Sequence, residues 1–169
     1  MNIVLCGMMG VGKSTVGIKI AELTARRWCD TDTVISDRYG RISDIFEYYG
    51  EAHFRSLETD VVRELSEKDG LVISTGGGLV LKGENTALLK KKGKIFFLRA
   101  SLETLLERVR ADESRPLLKD TGKTAETLGA LLKQRTPVYE HVADFTVVTD
   151  GLSPAEVARK VVDLAEGRA

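Results

Sequence analysis

The chain has 169 residues, 43% of them hydrophobic and 30% charged, with 25 Lys+Arg balanced by 25 Asp+Glu. That length suits a single domain with one core, and the neutral balance leaves no global field to draw in a polyanion, so nucleic-acid binding is disfavoured. Two cysteines are too few for a disulfide scaffold, and no stretch approaches the ~18 apolar residues of a membrane span, so a cytoplasmic protein without a membrane partner is expected.

The opening residues, Met1 to Cys6, contain the apolar run Ile3-Val4-Leu5-Cys6 and pass directly into glycines, which is the pattern of a buried parallel strand; neither leader nor anchor is expected. After Lys13, the residues Val16, Ile20 and Leu23 recur on one helical face. Arg27-Trp28-Cys29-Asp30 reads as a second strand, with Trp28 packing beside it. Ile42, Ile45, Phe46 and Tyr49 trace a helical stripe with Ser43 as candidate cap, and Phe54, Leu57, Val61 and Leu65 trace another, giving two helices broken at Gly50.

Leu71-Val72-Ile73-Ser74 is a third strand, and it ends in Thr75-Gly76-Gly77-Gly78. The basic run Lys90, Lys91, Lys92 and Lys94 is expected as a solvated helix end, followed by a strand at Lys94–Leu98 and a helix carrying Leu102, Leu105, Leu106 and Val109. Residues 111–124 lack periodicity and are expected to form a mobile loop. Phe145-Thr146-Val147-Val148 is a fifth strand, and Ser153-Pro154-Ala155-Glu156 opens the last helix with a cap, an N1 proline and a capping-box glutamate. The alternation predicts an α/β domain: a parallel sheet, helices on both faces, right-handed crossovers, and ligands at the carboxyl ends of the strands.

Gly7-Met8-Met9-Gly10-Val11-Gly12-Lys13-Ser14 matches the P-loop pattern, glycine, four residues, then glycine, lysine and serine or threonine. Backbone N–H groups of such a loop turn inward around phosphate oxygens, and the helix behind it adds its positive end. ATP contacts are therefore expected from Gly10, Val11, Gly12, Lys13, Ser14 and Thr15, with Lys13 at the β/γ-phosphates and Ser14 on Mg²⁺. A bare match can also be an ordinary glycine-rich turn, but here the strand before it and the amphipathic helix after it are both present.

Asp30 and Asp32 stand where the second strand ends, placed either to organise metal-bound water and accept a hydroxyl proton or simply to cap the next helix. Gly76-Gly77-Gly78 is either a flexible turn or a place of close backbone approach to a ligand, and its position favours the ligand. Arg55 sits three residues before Glu58, and those residues alone favour a surface i,i+3 salt bridge. The third strand ends in Ser74-Thr75 where many P-loop NTPases carry an Asp, so metal binding must lean on Ser14 and Asp30, which argues against a GTPase or motor. His53 and His141 lack carboxylate or cysteine partners at ligand spacing and are left out of the site.

Taken together, Gly7 to Ser14, Asp30-Thr31-Asp32, Phe54-Arg55, Gly76-Gly77-Gly78, Arg115-Pro116-Leu117-Leu118 and Arg135-Thr136-Pro137-Val138-Tyr139 resemble shikimate kinases in order and spacing over nearly the whole chain. The resemblance implies a single three-layer P-loop kinase domain over residues 1–169, with a five-stranded parallel sheet of order 2-3-1-4-5 and a mobile lid at about 111–124. It implies transfer of the ATP γ-phosphate to the 3-hydroxyl of shikimate, on the way to chorismate and aromatic amino acids; a monomer is expected by default. By that likeness the catalytic residues are Lys13, Asp32 and Arg115, the last brought in by lid closure. The acceptor is held by Asp32, Arg55, Gly76, Gly77, Gly78 and Arg135, Asp30 orders the Mg²⁺ water shell, and Arg108 and Pro154 flank adenine. A guanidinium fork matches a carboxylate in a way lysine does not, which agrees with the roles given to Arg55 and Arg135. The rivals are a kinase for another hydroxylated acid such as gluconate, and a non-catalytic nucleotide-binding module.

Overall fold

The apolar opening forms a strand because all five of its residues can be shielded: β1, Asn2–Cys6, is buried along its whole length. The computed structural model describes residues 1–111 and 121–168. After β1 come α1 (Lys13–Thr24), β2 (Arg27–Asp30), α2 (Thr31–Tyr39), α3 (Ile42–Ser66), β3 (Leu71–Ser74), a 3₁₀ turn (Leu79–Leu81), α4 (Gly83–Lys90), β4 (Gly93–Arg99), α5 (Leu102–Ala111), α6 (Thr121–Val142), β5 (Phe145–Val148) and α7 (Pro154–Ala165).

The strands form one five-stranded sheet in the order β2-β3-β1-β4-β5, with every neighbouring pair parallel. This is the predicted fold class and strand order. α1 packs on α7 and against β1, β2 and β3, while α4 and α6 pack on β4. The central strands β1 and β3 are wholly buried, whereas the edge strands β2 and β5 are partly exposed, which is why only the inner strands read as unbroken apolar runs. β1 lies between β3 and β4, so the loops leaving β1 and β3 emerge side by side at the strand ends where an open parallel sheet binds its ligands.

Gly50 does interrupt the long α3, with φ 82° and ψ 170° in an otherwise helical run. The capping box of α7 is also as expected: Ser153 accepts from the Glu156 N–H and Glu156 accepts from the Ser153 N–H. Other expectations needed correction. Leu23 is 53% exposed, so the face it shares with Val16 and Ile20 is covered only as far as Ile20. Ser43 does not cap α3, since Arg41 occupies that position. Phe46 and Tyr49, though on the predicted stripe, are exposed; Phe46 packs at a 39° tilt against Phe54, ring centroids 4.8 Å apart, at the edge of a cavity. The lid expected at 111–124, with Arg115, falls largely outside the described residues.

Candidate active site

α1 begins at a glycine rather than at a side-chain cap. Gly12 has φ 96°, so its backbone turns through a region that L side chains rarely adopt, and no side-chain oxygen occupies the N-terminus of α1. The first-turn N–H groups and the positive end of the helix dipole are left aimed at whatever fills the loop. Lys13 lies folded over this loop, its Nζ donating to the carbonyls of Gly7 at 2.8 Å and Met8 at 2.9 Å. The ammonium is thereby held above the cradle in position to move to phosphate oxygens.

Ser14 and Asp30 meet at the carboxyl end of β2. The Ser14 hydroxyl donates to Asp30 Oδ2 at 2.6 Å, while Oδ1 of the same carboxylate accepts from the Asp32 N–H at 3.0 Å and the Thr33 N–H at 3.3 Å. Asp30 therefore caps α2, one of its two readings, and at the same time holds the loop serine. Trp28 donates its indole N–H to Ser74 Oγ at 3.0 Å, and Ser74 in turn donates to the Lys13 carbonyl at 2.9 Å, so the residue standing where many P-loop enzymes carry Asp braces the loop through its main chain.

Across from the loop, Asp32, Glu58 and Gly76 come together. Asp32 Oδ1 and Glu58 Oε1 lie 2.7 Å and 3.1 Å from the point a Cβ on Gly76 would occupy, so no side chain fits there without displacing a carboxylate. Arg55 donates to Glu58 Oε2 at 2.8 Å and reaches Glu51 at 3.1 Å. Glu58 is only 1% exposed, which corrects the expectation of a surface pair: Arg55 is anchored by a buried carboxylate. Burial raises the Glu58 carboxyl above its usual range, Asp32 adds to that, and Arg55 opposes it. The guanidinium of Arg55 lies 2.6 Å from the Cβ position of Gly78, and Arg135 NH1 lies 3.4 Å from that of Gly77, so the absence of side chains lets two arginines approach the same turn.

Arg108, on α5, donates to the Val11 carbonyl at 3.0 Å and to Thr149 Oγ1 and O at 3.0 and 3.1 Å, tying the phosphate loop to the segment between β5 and α7. That segment is fixed by Asp150, which accepts from the Ser101 N–H and hydroxyl and from the Thr104 hydroxyl. These hydrogen bonds lower the Asp150 pKa to about 2.

A single cavity of about 740 Å³ is lined by Gly10, Val11, Gly12, Lys13, Ser14 and Thr15, by Asp30 and Asp32, by Arg55, Gly76, Gly77, Gly78 and Arg135, and by Arg108 and Pro154. Every site residue named from the sequence is there except Arg115, which lies outside the described residues. Glu58, Phe46, Phe54 and Thr149 also line it and were missed as site residues. The spacing of Glu58 from Arg55 was visible, but its burial was not.

A family model described as shikimate kinase matches residues 9–166. The chain belongs to the shikimate kinase family. The shikimate kinase of Actinobacillus pleuropneumoniae serotype 5b is 42% identical over 166 residues, covering 98% of this chain and 95% of that protein. That of Thermodesulfovibrio yellowstonii is 44% identical over 162 residues, covering 95% and 92%. Among solved structures, a shikimate kinase from Acinetobacter baumannii in complex with shikimate superposes with a TM-score of 0.89 at 39% identity, covering 98% of this chain and 93% of that one. A gluconokinase from Sinorhizobium meliloti 1021 superposes with a TM-score of 0.62 at 20% identity, covering 98% and 94%, a likeness of fold alone. The difference separates this shikimate kinase family member from the gluconate rival that shares its P-loop architecture.

Proposed function

We propose that the protein transfers the γ-phosphoryl group of ATP to the 3-hydroxyl of shikimate, giving shikimate 3-phosphate and ADP, as a cytoplasmic monomer. The observation that carries this reading is the convergence of the Asp32 carboxylate and the Arg55 and Arg135 guanidinium groups on the wall that faces the phosphate loop across one cavity. An acceptor with one carboxylate and several hydroxyls matches that set: the forks take the carboxylate, and Asp32 takes a hydroxyl.

In this reading the N–H groups from Gly10 to Thr15 hold the phosphates, and Lys13 leaves the Gly7 and Met8 carbonyls for the β- and γ-oxygens. Arg108 and Pro154 flank the adenine. The Ser14 hydroxyl and the Asp30 carboxylate are hard oxygen donors already 2.6 Å apart, a set that fits Mg²⁺, with Ser14 as direct ligand and Asp30 acting through water. Bound there, Mg²⁺ neutralises part of the charge that develops on the phosphates. Gly77 and Gly78 present backbone N–H groups to the acceptor. Asp32 orients the attacking hydroxyl and receives its proton as the oxygen–phosphorus bond forms and ADP departs. Arg115, which lies outside the described residues, completes the set as the cation at the transferring phosphate.

A coupled assay of ADP release decides the acceptor. Purified protein with Mg²⁺ and ATP is expected to turn over only when shikimate is added, and not with gluconate; ADP release indifferent to shikimate would sink the assignment.

A further inference from the structure

Tyr139 is the largest side chain that is fully buried, and nothing in the reaction above gives it a task. It projects from α6 one helical turn after Arg135, with its ring against Phe97 of β4, centroids 5.1 Å apart. Its hydroxyl donates to the Gly77 carbonyl at 2.5 Å and lies 3.8 Å from the sulfur of Met8 in the phosphate loop. Arg135 NH1 and the Tyr139 hydroxyl both lie beside Gly77, 3.4 Å and 3.8 Å from the point a Cβ there would occupy. One oxygen atom thus sits where the acceptor turn, the phosphate loop and an acceptor-binding guanidinium meet.

We propose that Tyr139 is a positioning residue for the acceptor: its hydroxyl fixes the Gly77–Gly78 peptide, beside the Arg135 guanidinium, in the orientation that receives the substrate. The inference rests on the acceptor reading given above. A peptide flanked by two glycines can rotate with little steric resistance. Because a trans peptide is planar, holding the Gly77 carbonyl also fixes the direction of the Gly78 N–H, which points the opposite way. The Arg135 guanidinium lies against the same glycine, so the turn that the hydroxyl holds also sets the surface on which that cation rests. Burial raises the phenol pKa to about 12, with Arg135 opposing, and the hydroxyl therefore remains a donor throughout the working range of an enzyme.

Tyr139→Phe keeps the ring packing and removes only the hydroxyl. It is expected to raise the KM for shikimate roughly 10-fold, the loss of about one buried hydrogen bond, while the KM for ATP stays within about twofold. A variant whose two KM values rise together, or whose only change is a lower Tm, would overturn the proposal. Absence of shikimate turnover in the unmodified chain would defeat the acceptor reading and this inference together, whereas normal turnover with an unchanged KM ratio in the variant defeats only the inference. A second measurement leaves the residue at position 139 a tyrosine. The other three tyrosines, Tyr39, Tyr48 and Tyr49, are exposed, so a chain with these as Phe can carry 3-fluorotyrosine at position 139 alone. Its ¹⁹F resonance is expected to shift on saturation with shikimate without nucleotide, and an unmoved resonance overturns the proposal.

Discussion

The phosphate loop and the wall facing it are built on opposite plans. The loop is one consecutive segment, Gly7–Ser14, whose binding groups are main-chain N–H groups presented by glycine geometry and a helix end. The facing wall is assembled from side chains on α2, α3 and α6 around the glycines after β3, and it depends on buried charge: Glu58 anchors Arg55, and Asp32 lies beside both Glu58 and Gly76. A main-chain cradle tolerates varied residues such as Met8, Met9 and Val11 because its backbone does the work. A side-chain wall is sensitive to each member, since removing one partner of a buried charged pair leaves the other uncompensated.

The contrast is sharpest at the two charged groups nearest the reacting atoms. Lys13→Ala is expected to lower kcat by ~10³-fold or more through lost phosphate stabilisation, with a much smaller effect on Tm, since the Nζ hydrogen bonds to the Gly7 and Met8 carbonyls stay within the loop. Asp32→Asn should cost ~10²- to 10³-fold in kcat while shikimate still binds, as measured by calorimetry. If either variant lost only affinity, the division between a donor cradle and a reactive acceptor wall would break.

Smaller effects test the wall as a holding device. Arg135→Lys keeps the charge but not the fork, and is expected to raise the shikimate KM ~10- to 100-fold with the ATP KM nearly constant in steady-state assays. An equal rise in both would show that Arg135 serves the donor side instead.

The smallest expected effect lies on the donor side and is one of stability. The folded pKa of Asp150 is depressed to about 2, so the stability it contributes is fully present above its unfolded value near ~4 and disappears as the pH falls through about 2. Asp150→Asn should therefore lower Tm by a few degrees at pH 7, with the gap to the unmodified chain closing between about pH 4 and pH 2 in melting curves. The group is largely solvated, which keeps the effect modest.

How much of the site the sequence revealed follows the same division. The P-loop and its flanking strand and helix were legible because each depends on neighbours in the chain, and the capping box of α7 was legible for the same reason. Arg55 was misjudged from its neighbours: i,i+3 spacing from Glu58 predicts a surface pair, whereas packing leaves Glu58 1% exposed. Phe46 shares its predicted stripe with buried Ile45, but helical periodicity reports a shared face and not what that face meets, and at Phe46 it meets a cavity. Leu23 failed in the same manner at the other end of the scale, being apolar and on stripe yet 53% exposed.

By itself, then, the sequence determined the alternation of strands and helices, the phosphate loop and, through the joint order of its motifs, the family. Local chemistry is enough for these: glycine at a positive φ, apolar runs of strand length, and caps at helix ends. Only the tertiary structure decided that Asp32 and Glu58 would share a wall, that Arg108 would brace Val11 to Thr149, and that the Tyr139 hydroxyl would end between Gly77 and Met8. Those contacts join residues 26 to 131 positions apart, and they exist because the β2-β3-β1-β4-β5 order brings the ends of separate strands to one edge of the sheet, a fact that no local pattern encodes.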